Sequence, residues 1–187
     1  MWRELQRIDS ELFVYLNNLP LGDYTAFWVF VTQIEHWIPL YLLFAVLFAK
    51  AYSARAAVLG IVFTLFTFAT TLALTNWTKV TVARLRPNNT PELEELIRVL
   101  QTPDNFSFFS GHAANSFAVS VFVVLALRNS FSWIYFVFLW PLLFSSSRIF
   151  VGVHFPGDIL VGAGVGTLLG LLFYQIFKKI VLKFRYN

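Results

Sequence analysis

From the N-terminus, hydrophobic and polar positions first alternate at helical spacing and then give way to long apolar runs. Trp2, Leu5, Ile8, Leu12, Tyr15, Leu16 and Leu19 recur three and four residues apart, with Arg3, Glu4, Arg7, Asp9 and Glu11 between them. That pattern predicts an amphipathic helix within residues 1–20, lying in a membrane interface rather than crossing it. PLGD, residues 20–23, ends it. A helix crossing a bilayer core needs about 20 predominantly apolar residues. The clean run WIPLYLLFAVLFA (37–49) is too short alone, so the first span is expected over 24–50, carrying Gln33, Glu35 and His36 inward.

Further apolar runs predict spans at 55–78, 112–127, 131–149 and 157–177, followed by a basic, amphipathic tail from Lys178. The polar stretch 79–110 holds Pro87, Pro91 and Pro103, and PELEELIRVLQ within it reads as a short helix with proline in its first turn. The expected fold class is therefore an all-α integral membrane helical bundle. It has five transmembrane helices, an N-terminal interfacial helix and a short loop helix, in a single domain over 1–187.

Composition sharpens this picture. The chain is 58% hydrophobic and 13% charged, about half the charge of ordinary soluble domains. Twenty-two Phe and six Trp under so few charges exclude a soluble fold. Without cysteine there are no disulfides and no thiolate chemistry. The N-terminus lacks a continuous apolar segment and is not a cleavable signal peptide, so insertion relies on the spans themselves. Basic residues are scattered and no aromatic-basic pattern speaks for a nucleic-acid partner.

Five spans bring the end of span two, the start of span three, the end of span four and the start of span five to one membrane face. That face collects KVTVARLRP (79–87), FSGH (109–112) and SRIFVGVHFPGD (147–158). The fourteen Lys and Arg divide seven and seven between the two faces. Setting aside Lys79, Arg86 and Arg148, which have chemical work on the motif face, seven stand against four. The positive-inside rule then puts the motif face outside the cytoplasm, with a bacterial inner membrane as the expected location.

The three motifs resemble those of the type 2 phosphatidic acid phosphatase (PAP2) superfamily, KxxxxxxRP, PSGH and SRxxxxxHxxxD. Lys79, Arg86 and Pro87 match the first, Ser110, Gly111 and His112 the second, and Ser147, Arg148, His154 and Asp158 the third. One departure is Phe109, where that superfamily usually has proline; the chain before Ser110 is expected to take a different path, with the phenyl ring toward lipid or substrate tail.

The residues carry a consistent chemistry. Phosphoryl transfer is catalysed mostly by positioning and by stabilising charge on the equatorial oxygens. Lys79, Arg86 and Arg148 supply three cations, and guanidinium groups bind phosphate bidentately. Ser110 and the amides around Gly111 open a helix, where anions are favoured. Asp158, four residues after His154, can hold one ring nitrogen and leave the other free as a nucleophile; the resemblance implies this role, with a phosphohistidine intermediate. His112 then protonates the leaving oxygen and later activates water. No metal or other cofactor is required.

The expected activity is thus hydrolysis of a lipid phosphate or diphosphate held in the bilayer, of the undecaprenyl diphosphate, phosphatidic acid, phosphatidylglycerol phosphate or lipid A type. Alternatives are a phosphotransferase using the same intermediate and a lipid-phosphate binding or transport protein. The related vanadate haloperoxidases are soluble, which five spans oppose. Arg84 reads as a lipid-headgroup or loop residue, and Glu35 and His36 as either a bonded interfacial pair or part of the pocket. Gly162, Gly166 and Gly170 form a small-residue face that serves either packing within the bundle or a homodimer.

Overall fold

The computed structural model describes residues 2–185; the side chains of Trp2, Arg3, Lys183 and Arg185, which enter the pattern and the charge count, lie outside the described residues. Helix α1 (Trp2–Asn17) forms where amphipathic spacing places it. Asp9, Phe13 and Asn17, at i, i+4 and i+8, face the protein, and Phe13 and Asn17 are fully buried. Leu5, Ile8, Leu12 and Tyr15 stay exposed, as a face laid against lipid requires. Asn17 Nδ2 donates to the carbonyls of Arg98 (3.1 Å) and Ile149 (2.8 Å), and its Oδ1 accepts from Arg98 N (2.7 Å).

The first span is not one helix. The chain forms α2 (Thr25–Thr32), breaks at Gln33 (φ −78°, ψ 129°), makes a 3-10 turn (Ile34–Trp37), and continues as α3 (Ile38–Ala51). Gln33, Glu35 and His36 crowd three polar groups into four positions, and the helix breaks there. Glu35 and His36 are exposed. His36 stacks on Phe30 (3.9 Å) with Nδ1 2.7 Å from the Phe30 carbonyl, away from the cavity described below.

Helix α4 (Ala54–Val82) runs one turn beyond the expected boundary, to a left-handed Ala83 (φ 52°), so Lys79 sits in its last turn. Thr64, Thr67, Thr71 and Thr75 form its buried face. Each hydroxyl donates to the carbonyl four residues back at 2.7–2.8 Å, so none needs an outside partner. Helix α5 (Gly111–Leu127) follows, then a 3-10 run (Ser132–Phe138), α6 (Leu139–Phe150) and α7 (Pro156–Arg185). Pro141, which lacks an N–H, accompanies the tighter winding at the start of the fourth span.

Among the described residues four helices are long and apolar enough to cross a membrane, and α5 is shorter at 17 residues. Thirteen of those 17 are buried, so α5 is the axis of the bundle. Gly162, Gly166 and Gly170 of α7 lie against its backbone: an added Cβ would come within 2.6 Å of the Ser110 carbonyl at Gly162 and 2.5 Å of the Ala118 carbonyl at Gly170. The glycine face therefore serves packing within the bundle. Phe48, Phe122 and Phe177 close the core at the far end.

The expected loop helix in 91–101 is absent. Only the turns Pro87–Asn89 and Pro91–Leu93 are helical, both 3-10. Further on, backbone groups bond across to other elements instead of along a helix: Leu96 O accepts from Asn18, Arg98 N donates to Asn17, and Leu100 N donates to Val151 O (3.0 Å).

Candidate active site

The three motifs converge on a cavity of about 260 Å³ lined by Lys79, Arg86, Gly111, His112, Arg148 and His154 on its polar side. Trp37, Tyr41, Phe68, Leu72, Trp140 and Phe144 form its apolar side, between α3, α4 and α6.

Each cation is fixed by neutral acceptors. Lys79 Nζ donates to the carbonyls of Phe106 and Ser107. Arg86 donates from Nε to Asn105 O (2.7 Å), from Nη2 to Asn105 Oδ1, and from Nη1 to Val153 O (2.8 Å). Arg148 Nη1 donates to Thr32 Oγ1 and Gln101 Oε1 (2.8 Å), and its buried Nε has no partner. Lys79, Arg86 and Arg148 are only 6, 3 and 4% exposed, and among the described residues none is ion-paired to a carboxylate. Buried charges without a counterion are costly, so the cavity is built for an anion.

His154 sits between α6 and α7, 2% exposed. Its Nδ1 lies 3.4 Å from Asp158 Oδ2 and 3.3 Å from Ser107 Oγ, while Arg86 Nη1 donates to Nε2 at 3.1 Å. Accepting at Nε2 leaves the proton on Nδ1, directed at Asp158, so the unprotonated nitrogen faces the cationic cavity. Burial, and then the charges of Arg86, Lys79, Arg148 and Arg84, hold the imidazole well below its ordinary pKa. Asp158 Oδ2 also accepts from Ser107 Oγ and Phe155 N (3.1 Å).

His112, one residue into α5, stacks on Phe144 (4.4 Å) and donates from Nε2 to the Thr32 carbonyl (3.2 Å). Thr32 ends α2, so its carbonyl is one of those a helix terminus leaves free. That one residue thereby holds both His112 and Arg148. Stacking of Trp28 on Phe150 (4.2 Å) brings α2 to this position.

Ser110 departs from the expected cradle. It is fully buried, does not line the cavity, and its Oγ accepts from Ala113 N (3.4 Å) as the N-cap of α5. Gly111, next to it, does line the cavity. Phe109 is also buried, at 3% exposure, and faces neither lipid nor cavity; the peptide bond before it is cis. Arg84 is not a free loop residue: it pairs with Asp158 Oδ1 (2.7 Å) and Asp9 Oδ2 (2.8 Å). Thr32, Gln101, Asn105 and Ser107 complete the arrangement, and no spacing signal in the sequence marks them.

Residues 60–182 match the family model of the PAP2 superfamily. The chain is 33% identical over 185 residues to a lipid A 4'-phosphatase of Bacteroides thetaiotaomicron, covering 94% of this chain and 80% of that protein. It is 29% identical over 170 residues to an undecaprenyl-diphosphatase of Sulfolobus acidocaldarius, covering 89% and 77%. The fold is similar to that of a PAP2-type phosphatidylglycerolphosphate phosphatase from Bacillus subtilis (TM-score 0.72, 23% identity, 95% of this chain and 88% of that one). With the three motifs gathered in one cavity and more than half the chain matched, the protein belongs to the PAP2 superfamily.

Proposed function

We propose that this membrane phosphatase hydrolyses the phosphate monoester of a lipid A-type glycolipid through a phosphohistidine on His154. One observation carries the phosphatase chemistry: three buried cations without carboxylate partners line one cavity with a buried histidine whose unprotonated nitrogen meets one of them. The apolar wall beside them suits a substrate whose tail stays in the bilayer. The likeness to a lipid A 4'-phosphatase over nearly the whole chain supports the choice of headgroup.

In the first step His154 Nε2 attacks phosphorus, the bond to the leaving oxygen breaks, and His112 gives that oxygen a proton. Arg86, Arg148 and Lys79 stabilise the charge on the equatorial oxygens. In the second, His112 takes a proton from water as its oxygen attacks phosphorus, the P–N bond breaks, and inorganic phosphate leaves. Asp158 keeps the Nδ1 proton in place throughout. The cavity opens on the extracytoplasmic face, following the distribution of basic residues outside the motifs.

Phosphate release from purified lipid A, undecaprenyl diphosphate, phosphatidic acid and phosphatidylglycerol phosphate tests this. Lipid A turns over fastest, and His154→Ala abolishes release on every substrate while the helical circular dichroism is retained. Equal release by His154→Ala overturns the mechanism; transfer of labelled phosphate to a lipid acceptor in place of water makes the protein a phosphotransferase.

A further inference from the structure

Asp158 is fully buried and its two carboxylate oxygens are divided. Oδ2 serves the site, facing His154, Ser107 and Phe155 N. Among the described residues Oδ1 accepts only from Arg84, at 2.7 Å. Arg84 lies at a position the first motif leaves unspecified, directly after the left-handed Ala83 that ends α4. Its guanidinium stands over the Phe155 ring at 4.1 Å, and Nη2 donates to Asp9 Oδ2 at 2.8 Å. Asp9 Oδ1 in turn accepts from Gly157 N, in the first turn of α7, at 2.7 Å. Gly157 permits this approach, since a Cβ there would stand 2.8 Å from Asp9 Oδ2. Phe13, one turn along α1, packs edge-on against Phe155 at 5.5 Å.

We propose that Asp9 and Arg84 are positioning residues: Arg84 fixes the rotation of the Asp158 carboxylate, Asp9 fixes Arg84, and α1 is thereby a working part of the site. A carboxylate held at one oxygen cannot turn the other away from His154, and outer partners of this kind set the tautomer and orientation of the histidine they support. Arg84 and Asp9 are part-buried, 18% and 15% exposed, and Asp158 is fully buried, so the chain of contacts is screened less than a surface pair. The role rests on His154 being the nucleophile.

The test compares Asp9→Asn, Arg84→Gln and Arg84→Lys with the full-length protein in detergent. It combines phosphate-release kinetics with the nitrogen-15 NMR spectrum of labelled histidine, which has three residues to resolve. Asp9→Asn and Arg84→Gln lower kcat tenfold or more with KM within threefold, and Arg84→Lys recovers part of the loss. In both deficient variants the His154 Nδ1 signal moves while those of His36 and His112 stay. Two results overturn the proposal: kcat within twofold of the unmodified protein in both variants, or lost kcat with an unmoved His154 signal, which marks a merely structural ion pair. If His154→Ala keeps full activity, the nucleophile assignment itself fails, a result separate from either of these. The NMR comparison reads the coupling without any substrate.

Discussion

At the scale of single residues, the proposed chemistry turns on the charge state of His154. Only the neutral ring has a lone pair on Nε2, and burial together with four neighbouring cations disfavours its protonation in the free protein. An ordinary histidine loses its proton near pH 6.5, and the acid limb of kcat/KM reports the free enzyme. Because the pKa is lowered, the proposed nucleophile stays competent as the pH falls through that range. The acid limb of kcat/KM is therefore expected below pH 6.5. Arg84→Gln removes one of the cations that lower the pKa, so it moves that limb toward higher pH. A limb at or above 6.5 in the unmodified protein contradicts the electrostatic picture. The sign for stability is the same: the unfolded chain takes up this proton before the folded one does, so stability is present above the unfolded pKa and falls as the pH drops below it.

At the scale of elements, the break in the first span and the close contact of α5 with α7 position the site. Thr32, at the end of α2, offers its hydroxyl to Arg148 and its carbonyl to His112. Thr32→Val keeps the shape but leaves a buried guanidinium short of one acceptor, a loss of about 1.5–3 kcal/mol for a hydrogen bond to a charged group. If that loss falls on the transition state, kcat/KM drops by roughly tenfold to a hundredfold; kinetics on a lipid phosphate check this. Gly166 packs on the Ala114 carbonyl too closely for any side chain. Gly166→Ala is expected to lower thermal stability by about 1–3 kcal/mol, the usual cost of overpacking, measured by unfolding in detergent.

These elements also show how far the sequence could be read. Lys79, Arg86, His112, Arg148, His154 and Asp158 were legible because fixed spacing within three motifs, with helix ends on one membrane face, brings them together. Thr32, Ser107 and Asn105 were not, because their roles depend on which side chains meet across elements distant in sequence. The break at Gln33 was hidden by the apolar residues on either side of it, which together match one span in length. The loop helix was misread for a related reason: local propensity favoured it, while Asn17, Asn18 and Val151 offered its backbone other partners. Asp9 was legible only as one more charge on an amphipathic helix, although it meets Arg84 across 75 residues.

At the scale of the whole molecule, the bundle sets a cationic cavity against an aromatic wall near one membrane face. Exposed Leu42, Val46, Val62, Leu65, Leu168 and Leu172 meet lipid on its flanks. On the proposed outward orientation of the cavity, a reporter enzyme fused to the C-terminus should be active in the cytoplasm; extracytoplasmic activity reverses the orientation. The chemistry is independent of that orientation and has its own direct measurement. Protein quenched during turnover of a lipid phosphate carrying radiolabel on phosphorus should retain label that is stable to base and labile to acid, confined to the peptide containing His154 and absent from His154→Ala. Label on another residue, or turnover with no covalent label on rapid quenching and undiminished activity in His154→Ala, would contradict a phosphohistidine at the centre of this site.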